Sequence, residues 1–183
     1  VSKIIHMSSM STQMPIRTPY GETKLLAEKV VEKYWHKKDI AVLRAPLIYD
    51  EAKIKRFRKV FLLPQSTRDV KIHLAYKKTV VEALANSIDR GKSRYYTVAD
   101  KSSVTLHRFY ERILNTGLKP IYLPHALVEL GISFAQATKY VTDTLGIEPL
   151  VSPDFAKSLF QDREFEIEDA VRELKYKPGD TLK

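Results

Sequence analysis

Segments with the pattern of a buried strand alternate with helical segments along this chain, and no other sequence feature constrains the fold as strongly. An apolar run at 3–7 (KIIHM) precedes a helical pattern at 20–37, and a second apolar run (DIAVL) follows at 39–43. Strands that alternate with helices favour parallel pairing, because a crossover helix returns the chain to the same end of the sheet. We therefore predict an α/β fold in which strands 3–7 and 39–43 are parallel neighbours, joined by helix 20–37.

The helical pattern at 20–37 predicts a buried apolar face. Apolar residues recur with helical spacing, whereas the polar residues at 22, 29, 33 and 36 lie on the other side. The apolar residues with this spacing are Ala27, Val30, Val31 and Tyr34, whereas Leu25, Leu26, Val30 and Trp35 exceed what covering one sheet face requires and predict contact with a second molecule.

The pattern becomes less regular near residue 50, where we place a boundary between residues 1–50 and a smaller α/β substrate lobe at 51–183. Some strands of residues 51–183 are expected to join the main sheet. The predicted helices of the lobe are 51–63, 76–90, 105–115, 168–174 and two that start at Pro124 and after Pro153, and its predicted strands are 71–74, 94–98, 119–123 and 164–167. Because the chain opens inside its first predicted strand, we expect it to be a piece of a longer protein.

Composition excludes several classes of site. The chain has no cysteine, so disulfides, thiolate catalysis and cysteine-bound metals are excluded, and its five histidines are too scattered to predict a metal site. It contains neither GxGxxG nor GxxxxGK[ST], so no phosphate-binding glycine loop is encoded. No apolar run reaches the roughly 18 residues of a membrane span, and no signal peptide is recognisable, so we expect a cytoplasmic protein.

The formal net charge of +9 has two interpretations, a polyanionic partner or a lysine-rich solvated surface, and we favour the second. The basic segment 53–59 (KIKRFRK) allows the same alternatives, because its charges suit an anionic substrate, a nucleic acid or an acidic membrane surface. Only Phe57 and Phe61 interleave with these charges, so a solvated amphipathic helix is the better interpretation. Nucleic acid is not an expected partner.

A tyrosine and a lysine four residues apart, Tyr20 and Lys24, form a YxxxK pattern. On a helix this spacing places the phenol and the ammonium on one face. A nearby ammonium stabilises a phenolate, which can then exchange a proton with a carbinol oxygen at neutral pH.

YxxxK alone is a weak signal, since Tyr34 and Tyr49 also have a lysine four residues later. All three tyrosines also fit a structural role beside a solvated lysine. Only Tyr20 starts a helix after a buried strand that ends in Ser8 and Ser9. Ligands of doubly wound sheets bind at the carboxyl ends of strands, so these serines and Tyr20 are expected to meet there. The alternative for the serines is a capping role.

The run IIHMSS…PYGETKLLAEKVV resembles the strand-5 and helix-5 segment of extended short-chain dehydrogenases, the NAD-dependent epimerase/dehydratase group. AVLRAPLIYD resembles the family's LRPxxxYG stretch, and TRDVKIHLAY is similar to its RDxxHVxD segment. SSVTLHRFYERIL and LKYKPGDTLK resemble the late helix start and the closing LGYxPxxxLxE. The order of all five segments is kept across nearly the whole chain. This resemblance implies the C-terminal part of a doubly wound, Rossmann-like parallel sheet, with residues 1–50 carrying the YxxxK motif.

The resemblance also implies roles. Tyr20 would be the acid/base, Lys24 would bind the nicotinamide ribose and stabilise the phenolate, and Ser9 would orient the substrate. The usual VYG after the serines is absent, so Ser11 or Thr12 is an alternative to Ser9. The other implied contacts are the backbone of Ala45, Pro46 and Leu47 beside the nicotinamide, and Arg68 at a substrate diphosphate. A surface salt bridge of Arg68 with Asp69 or Glu82 is the alternative.

Departures from the family limit what the resemblance implies. The chain has no glycine-rich turn for the cofactor pyrophosphate, so we expect it to be inactive unless such a front part is supplied. Leu47 replaces a common Asn, Asp50 a common Gly, and Tyr76 the Asp of RDxxHVxD, and these changes weaken the case for a nucleotide-sugar. The implied activity is NAD- or NADP-dependent oxidoreduction, epimerisation or dehydration of a secondary alcohol or ketone, and nucleotide-sugars are among the possible substrates. The resemblance also implies a homodimer formed through helix 20–37. The alternative is a non-catalytic relative or a shortened protein that acts as a binding or assembly module.

Overall fold

The computed structural model describes residues 3–59, 62–114, 120–124, 126–130, 133 and 160–181. The strands, in chain order, are β1 (Lys3–Ser9), β2 (Asp39–Ala45), β3 (Leu47–Tyr49), β4 (Leu62–Pro64), β5 (Lys71–Ile72), β6 (Leu74–Tyr76), β7 (Tyr95–Thr97), β8 (Val104–Thr105) and β9 (Ile121–Leu123). The α-helices are α1 (Pro19–Glu32), α2 (Glu51–Phe57), α3 (Lys77–Arg90), α4 (Leu106–Leu114) and α5 (Glu168–Leu174), and short 3-10 turns span Met10–Gln13 and Gln65–Thr67.

The main sheet has three parallel strands in the order β1-β2-β7. The register of β1 and β2 runs from Lys3 opposite Asp39 to Ser9 opposite Ala45. Helix α1 joins these strands and packs on β1. The predicted α/β class and the predicted parallel pairing of the first two strands are therefore confirmed.

Strand β2 is the buried centre of this sheet. Its residues 40–43 are at most 1% exposed, which is typical of a parallel strand with both faces covered. The side chains of Ala41, Leu43 and Ala45 join a core cluster with α3 and α5. The neighbouring Arg44 projects to the other face, where it meets α1. Helices thus cover both faces of the sheet.

Helix α1 is shorter than predicted, and part of its apolar pattern is exposed. It is capped by Thr18, whose hydroxyl accepts from the Gly21 amide at 3.4 Å, and it ends at Glu32, with turns where the prediction extended the helix to residue 37. Of the apolar residues with helical spacing, Val30 and Tyr34 are 55% and 51% exposed, whereas Ala27 and Val31 are partly buried. Glu28 also faces the sheet, since Arg44 on β2 pairs with it.

The second core cluster lies under three two-stranded pairs, β3-β6 and β4-β9 (both parallel) and β5-β8 (antiparallel). Strands β3, β4 and β6, together with α4, supply most of its buried side chains, among them Leu63, Leu74 and Phe109. The predicted helix 51–63 stops at Phe57, because the apolar run that follows pairs as β4 with β9. The domain boundary near residue 50 stays a prediction.

The predicted strand 164–167 was wrong, since residues 162–167 have no regular structure. Their alternating sequence is typical of a strand, but two of their backbone amides bond to side chains. The Phe165 amide donates to His73 Nδ1 at 3.2 Å, and the Ile167 amide donates to Glu168. The helix predicted after Pro153 lies outside the described residues. Among the described helices, none combines the length and the apolarity that crossing a bilayer requires.

Candidate functional site

A cleft of about 500 Å³ opens at the carboxyl ends of β1 and β2. Its walls come from the end of β1, the turn that follows, the start of α1 and residues 45–48. Three side chains from more distant segments complete it, those of Lys53, Arg163 and Phe165. Parallel sheets bind ligands at this edge, because strand ends and helix starts converge there.

Seven of the predicted site residues line this one cleft: Ser9, Ser11, Tyr20, Lys24, Ala45, Pro46 and Leu47. They come from three segments that the parallel register brings to the same edge, since Ser9 at the end of β1 lies opposite Ala45 at the end of β2. The structure thus places these residues together, while the roles assigned to them stay predictions.

Tyr20 and Lys24 lie beside each other at the cleft wall. The Lys24 Nζ is 5.8 Å from the centroid of the Tyr20 ring and donates to the Met7 carbonyl at 3.3 Å. That bond ties the ammonium to the end of β1. Tyr20 is 57% exposed and lines the cleft. This arrangement suits a phenol that exchanges a proton next to a fixed positive charge.

Ser9 and Ser11 form a hydrogen-bonded pair at the start of the turn Met10–Gln13. Ser9 Oγ accepts from the Ser11 amide at 3.2 Å and from Ser11 Oγ at 2.9 Å. These two bonds use both acceptor positions of the Ser9 hydroxyl, and no acceptor in the described part of the chain takes its proton. Ser9 therefore caps this turn and also keeps a donor for a ligand oxygen.

Thr12, the other alternative for this role, faces away from the cleft. It is 3% exposed, and its hydroxyl donates to the Ser9 carbonyl at 2.9 Å. It is not among the residues that line the cleft.

A buried ionic cluster under the cleft fixes the serines against α1. Glu28, 1% exposed, accepts from Arg44 Nε at 2.9 Å, from Arg44 Nη2 at 2.7 Å and from Ser8 Oγ at 2.6 Å. Burial by itself raises the pKa of Glu28, but the bonds from Arg44 and Ser8 outweigh it and hold that pKa below its usual value. The sequence analysis missed Glu28. Its position, four residues after Lys24, was a usable signal, because residues 20, 24 and 28 share one helix face.

The sequence analysis also missed Arg163, a basic residue that lines the cleft. Burial lowers the pKa of Arg163, whose amide donates to the Lys71 carbonyl at 2.8 Å. His73 holds the neighbouring Phe165, since its ring stacks on Phe165 and its Nε2 bonds the Asp100 carbonyl at 2.8 Å. No local sequence pattern links residue 163 to the YxxxK helix, so only the folded chain reveals this contribution.

Arg68 is not among the described residues that line the cleft. It lies five positions before His73, one more than the RDxxHVxD spacing, and its guanidinium is 5.8 Å from the centroid of the Tyr122 ring. Its predicted contact with a diphosphate stays a prediction.

The other two YxxxK tyrosines lie elsewhere. The Tyr49 hydroxyl is buried and donates to Asp100 at 2.9 Å, and Tyr34 is exposed on the turn after α1. Within the described residues, no group of three or more His, Asp or Glu side chains is placed to hold a metal ion.

No protein-family model matches this chain, and no curated protein does. Solved structures do match it. The chain is similar to UDP-glucose 4-epimerase of Thermotoga maritima with UDP-glucose (TM-score 0.67, 15% identity, 97% of this chain and 59% of that one). It is also similar to RMD of Pseudomonas aeruginosa complexed with NADPH (TM-score 0.60, 13% identity, covering 98% of this chain and 62% of that one). A third similar structure is UDP-glucuronic acid 4-epimerase of Bacillus cereus with NAD (TM-score 0.53, 17% identity, covering 88% of this chain and 63% of that one).

These similarities establish the fold. The chain has the fold of part of the NAD-dependent sugar epimerases and dehydratases, and the resemblance seen in its sequence is confirmed at that level. It spans less than two thirds of the length of the matched chains.

Proposed function

We propose that this chain carries the proton-transfer site of an NAD- or NADP-dependent oxidoreductase, epimerase or dehydratase that acts on a secondary alcohol or ketone. The observation that supports this most is the meeting of Tyr20, Lys24 and Ser9 in one cleft at the carboxyl ends of parallel strands. The fold shared with nucleotide-sugar epimerases adds support, because one of these structures holds NAD and a further match holds NADPH.

The chain's own residues have distinct tasks in this proposal. Ser9 donates a hydrogen bond to the substrate oxygen and orients it. Tyr20 takes the proton of the carbinol oxygen when an alcohol is oxidised to a ketone, and returns it when the ketone is reduced. Lys24, held by the Met7 carbonyl, stabilises the phenolate form of Tyr20. A bound nicotinamide ring supplies the acceptor or donor for the hydride of the carbinol carbon.

The residues present fit the nicotinamide end of the cofactor. The Lys24 ammonium and the polypeptide at 45–48 border the cleft next to Tyr20 and would hold the ring and its ribose. The sequence has no glycine-rich turn for the pyrophosphate, so we propose that this chain alone does not hold the adenosine half in the usual way. We propose NAD or NADP without a choice between them, and the cytoplasm as the location.

Binding of nicotinamide mononucleotide tests this assignment directly, because this molecule has the ring and its ribose but no adenosine half. Saturation-transfer NMR on the 183-residue chain should detect binding. The Lys24→Met variant should weaken binding about tenfold through loss of one charge-assisted contact. The matched control is Lys29→Met, which removes an exposed lysine from the same helix. Binding that is absent, or equally affected by both variants, would contradict the proposed cofactor position.

A further inference from the structure

Residues 161–167, which we call the strap, tie two distant parts of the fold together beside the cleft. At one end, the Gln161 side chain accepts from the Ile16 amide at 2.9 Å and donates to the Ile16 carbonyl at 3.1 Å. Arg163 and Phe165, further along the strap, line the cleft, as Ile16 does. The position of the strap therefore decides whether the cleft has a wall on this side.

The middle of the strap is held on Lys71 in β5. The Arg163 amide donates to the Lys71 carbonyl at 2.8 Å, and Asp162 Oδ1 accepts from the Lys71 amide at 2.8 Å. Glu164 pairs with Lys71 Nζ at 2.6 Å and accepts from Ser103 Oγ at 2.7 Å. The Lys71 and Glu164 side chains are 49% and 56% exposed, and exposed ion pairs contribute little stability. This ion pair therefore does not by itself keep the strap in place.

His73 holds the strap from the interior, and it does so in one protonation state. The ring is 3% exposed, and both of its nitrogens are engaged. Nδ1 lies 3.2 Å from the Phe165 amide nitrogen, and Nε2 lies 2.8 Å from the Asp100 carbonyl oxygen. A backbone amide only donates and a carbonyl only accepts, so Nδ1 carries no proton and Nε2 carries one. The contact thus requires a neutral imidazole of this single tautomer.

A second proton on His73 would turn Nδ1 from an acceptor into a donor that faces another donor. The Phe165 amide would lose its acceptor, and a buried donor without an acceptor is costly. The His73 ring also stacks on the Phe165 ring, with 6.0 Å between centroids and 3° between planes, so displacement of one affects the other. Histidine is the side chain whose charge changes between about pH 5 and 8. Acidification in this range therefore opposes the contact between the strap and His73.

The charged groups around His73 do not supply an acceptor for the new N–H. The Asp100 carboxylate is bonded to three donors, those of Tyr49, Tyr76 and Thr181. Glu164 interacts electrostatically with the ring, but its two oxygens are bonded to Lys71 and Ser103. Lys71 on β5 and Arg163 on the strap are cations and accept no hydrogen bond. Within the described residues, the strap itself is thus what a second proton displaces.

We propose that the strap is a pH-sensitive wall of the cleft, latched by neutral His73 and released when His73 takes a second proton. Release withdraws Phe165 and Arg163 from the lining and opens the cleft. The docked strap binds one proton fewer than the released strap, so docking is favoured at the higher pH and lost as the pH falls. The effect on substrate entry rests on the proposed function, whereas the latch does not.

Hydrogen exchange of backbone amides, followed by NMR on the 183-residue chain, tests the latch without any ligand. The protection factor corrects for the intrinsic pH dependence of exchange. It should fall at least about tenfold at the Phe165 amide between about pH 8 and about pH 5.5. The Val42 amide, bonded to the Arg94 carbonyl at 3.0 Å in the main sheet, is the internal control and should keep its protection.

Two substitutions make the test specific to His73, with folding checked by circular dichroism. Asn places its amide oxygen near the position of Nδ1 and does not titrate, so His73→Asn should protect the Phe165 amide equally at both pH values. Gln reaches towards the position of Nε2 instead, so His73→Gln should leave that amide poorly protected at both. His36→Asn, a change at an exposed histidine, should keep the wild-type response.

Oxidation of methionine by hydrogen peroxide measures the opening of the cleft itself. Met10 and Met14 line the cleft and are 6% and 8% exposed, and a thioether does not titrate in this pH range. Mass spectrometry should show both oxidised faster at the lower pH, by about the factor that the Phe165 protection loses, because both report the open population. Unchanged protection of Phe165 in the wild type, or an equal loss in His73→Asn, would overturn the inference. Neither result affects the mononucleotide test.

Discussion

At the residue scale, the most consequential side chain is Glu28, a buried carboxylate that faces the sheet. It joins three segments, because Arg44 belongs to β2, Ser8 to β1 and Glu28 itself to α1. Arg44 is further held over the Tyr95 ring, 3.6 Å from its centroid. The cluster therefore fixes Ser9, one residue after Ser8, relative to the helix that carries Tyr20 and Lys24.

We predict that Glu28→Gln lowers the free energy of unfolding by about 3 kcal/mol, because it leaves the largely buried Arg44 without its charge partner. Urea denaturation followed by circular dichroism measures this loss. Glu22→Gln on the same helix is the matched control and should cost less than about 1 kcal/mol, because its ion pair with Arg17 is exposed to solvent. The double variant Glu28→Met/Arg44→Met should lose less than the sum of its single changes. A Glu28→Gln protein as stable as wild type would disprove this account of the cluster.

The same cluster predicts a pH dependence. The pKa of Glu28 is lower in the folded chain than in the unfolded one, so the unfolded state binds the proton more readily. Its contribution is complete above the unfolded-state pKa, near 4.5, and is lost as the pH falls through the folded-state pKa. The slope of unfolding free energy against pH below 4.5 should therefore be shallower in Glu28→Gln than in wild type. Equal slopes would show that Glu28 is not the titrating group.

At the element scale, the start of α1 decides where Tyr20 lies. Thr18 caps the helix, Pro19 occupies its first turn, and a Cβ added at Gly21 would lie 3.0 Å from the Ser11 carbonyl oxygen. That close approach lets the first helical turn pack on the serine turn. The cap and the glycine together place Tyr20 in the same cleft as Ser9 and Ser11.

Thr18→Ala should destabilise the chain by about 1 kcal/mol, because the Gly21 amide loses its capping acceptor. Thr18→Ser keeps the hydroxyl and should retain most of the stability. Thermal unfolding of the three proteins measures the difference. Identical midpoints for the alanine and serine variants would show that the cap contributes nothing.

Sequence periodicity and residue spacing predicted the elements that depend on residues close together in the chain. Strands β1 and β2, helix α1 and the YxxxK pair follow from periodicity and spacing within about 45 residues, and the parallel register then brings Ser9 and residues 45–47 together. Contacts between distant segments were not predictable. Arg163 reaches the cleft through a bond to Lys71, and β4 pairs with β9 across some 60 residues. No single segment encodes these pairings, so they required the coordinates.

At the scale of the whole molecule, α1 and the turn that follows it expose an apolar stripe. Leu26, Val30 and Tyr34 follow one another at four-residue intervals and are 59%, 55% and 51% exposed. Large exposed apolar residues in one row are typical of an interaction surface. We propose that this stripe pairs with its counterpart in a second copy of the chain.

Light scattering coupled to size-exclusion chromatography should give a dimeric mass for the wild type and a monomeric mass for Leu26→Glu/Val30→Glu. Two carboxylates that face each other across a twofold interface would repel and also lose apolar burial. Val81→Glu, a change at a similarly exposed position on α3, is the control and should leave the mass unchanged. A wild-type chain that stays monomeric at high concentration would contradict the proposal.

The central claim is that Tyr20 exchanges the substrate proton beside a nicotinamide ring. The most direct measurement is the rate at which the chain oxidises reduced nicotinamide mononucleotide in the presence of 2-acetylnaphthalene, an aryl ketone. This reduced mononucleotide avoids the need for a site for the adenosine half. Tyr20→Phe should lower the rate about 10²- to 10⁴-fold, as expected for loss of a general acid, while Tyr34→Phe should match wild type. Equal rates for wild type and Tyr20→Phe, or no reaction above the uncatalysed rate in any of the proteins, would contradict the account.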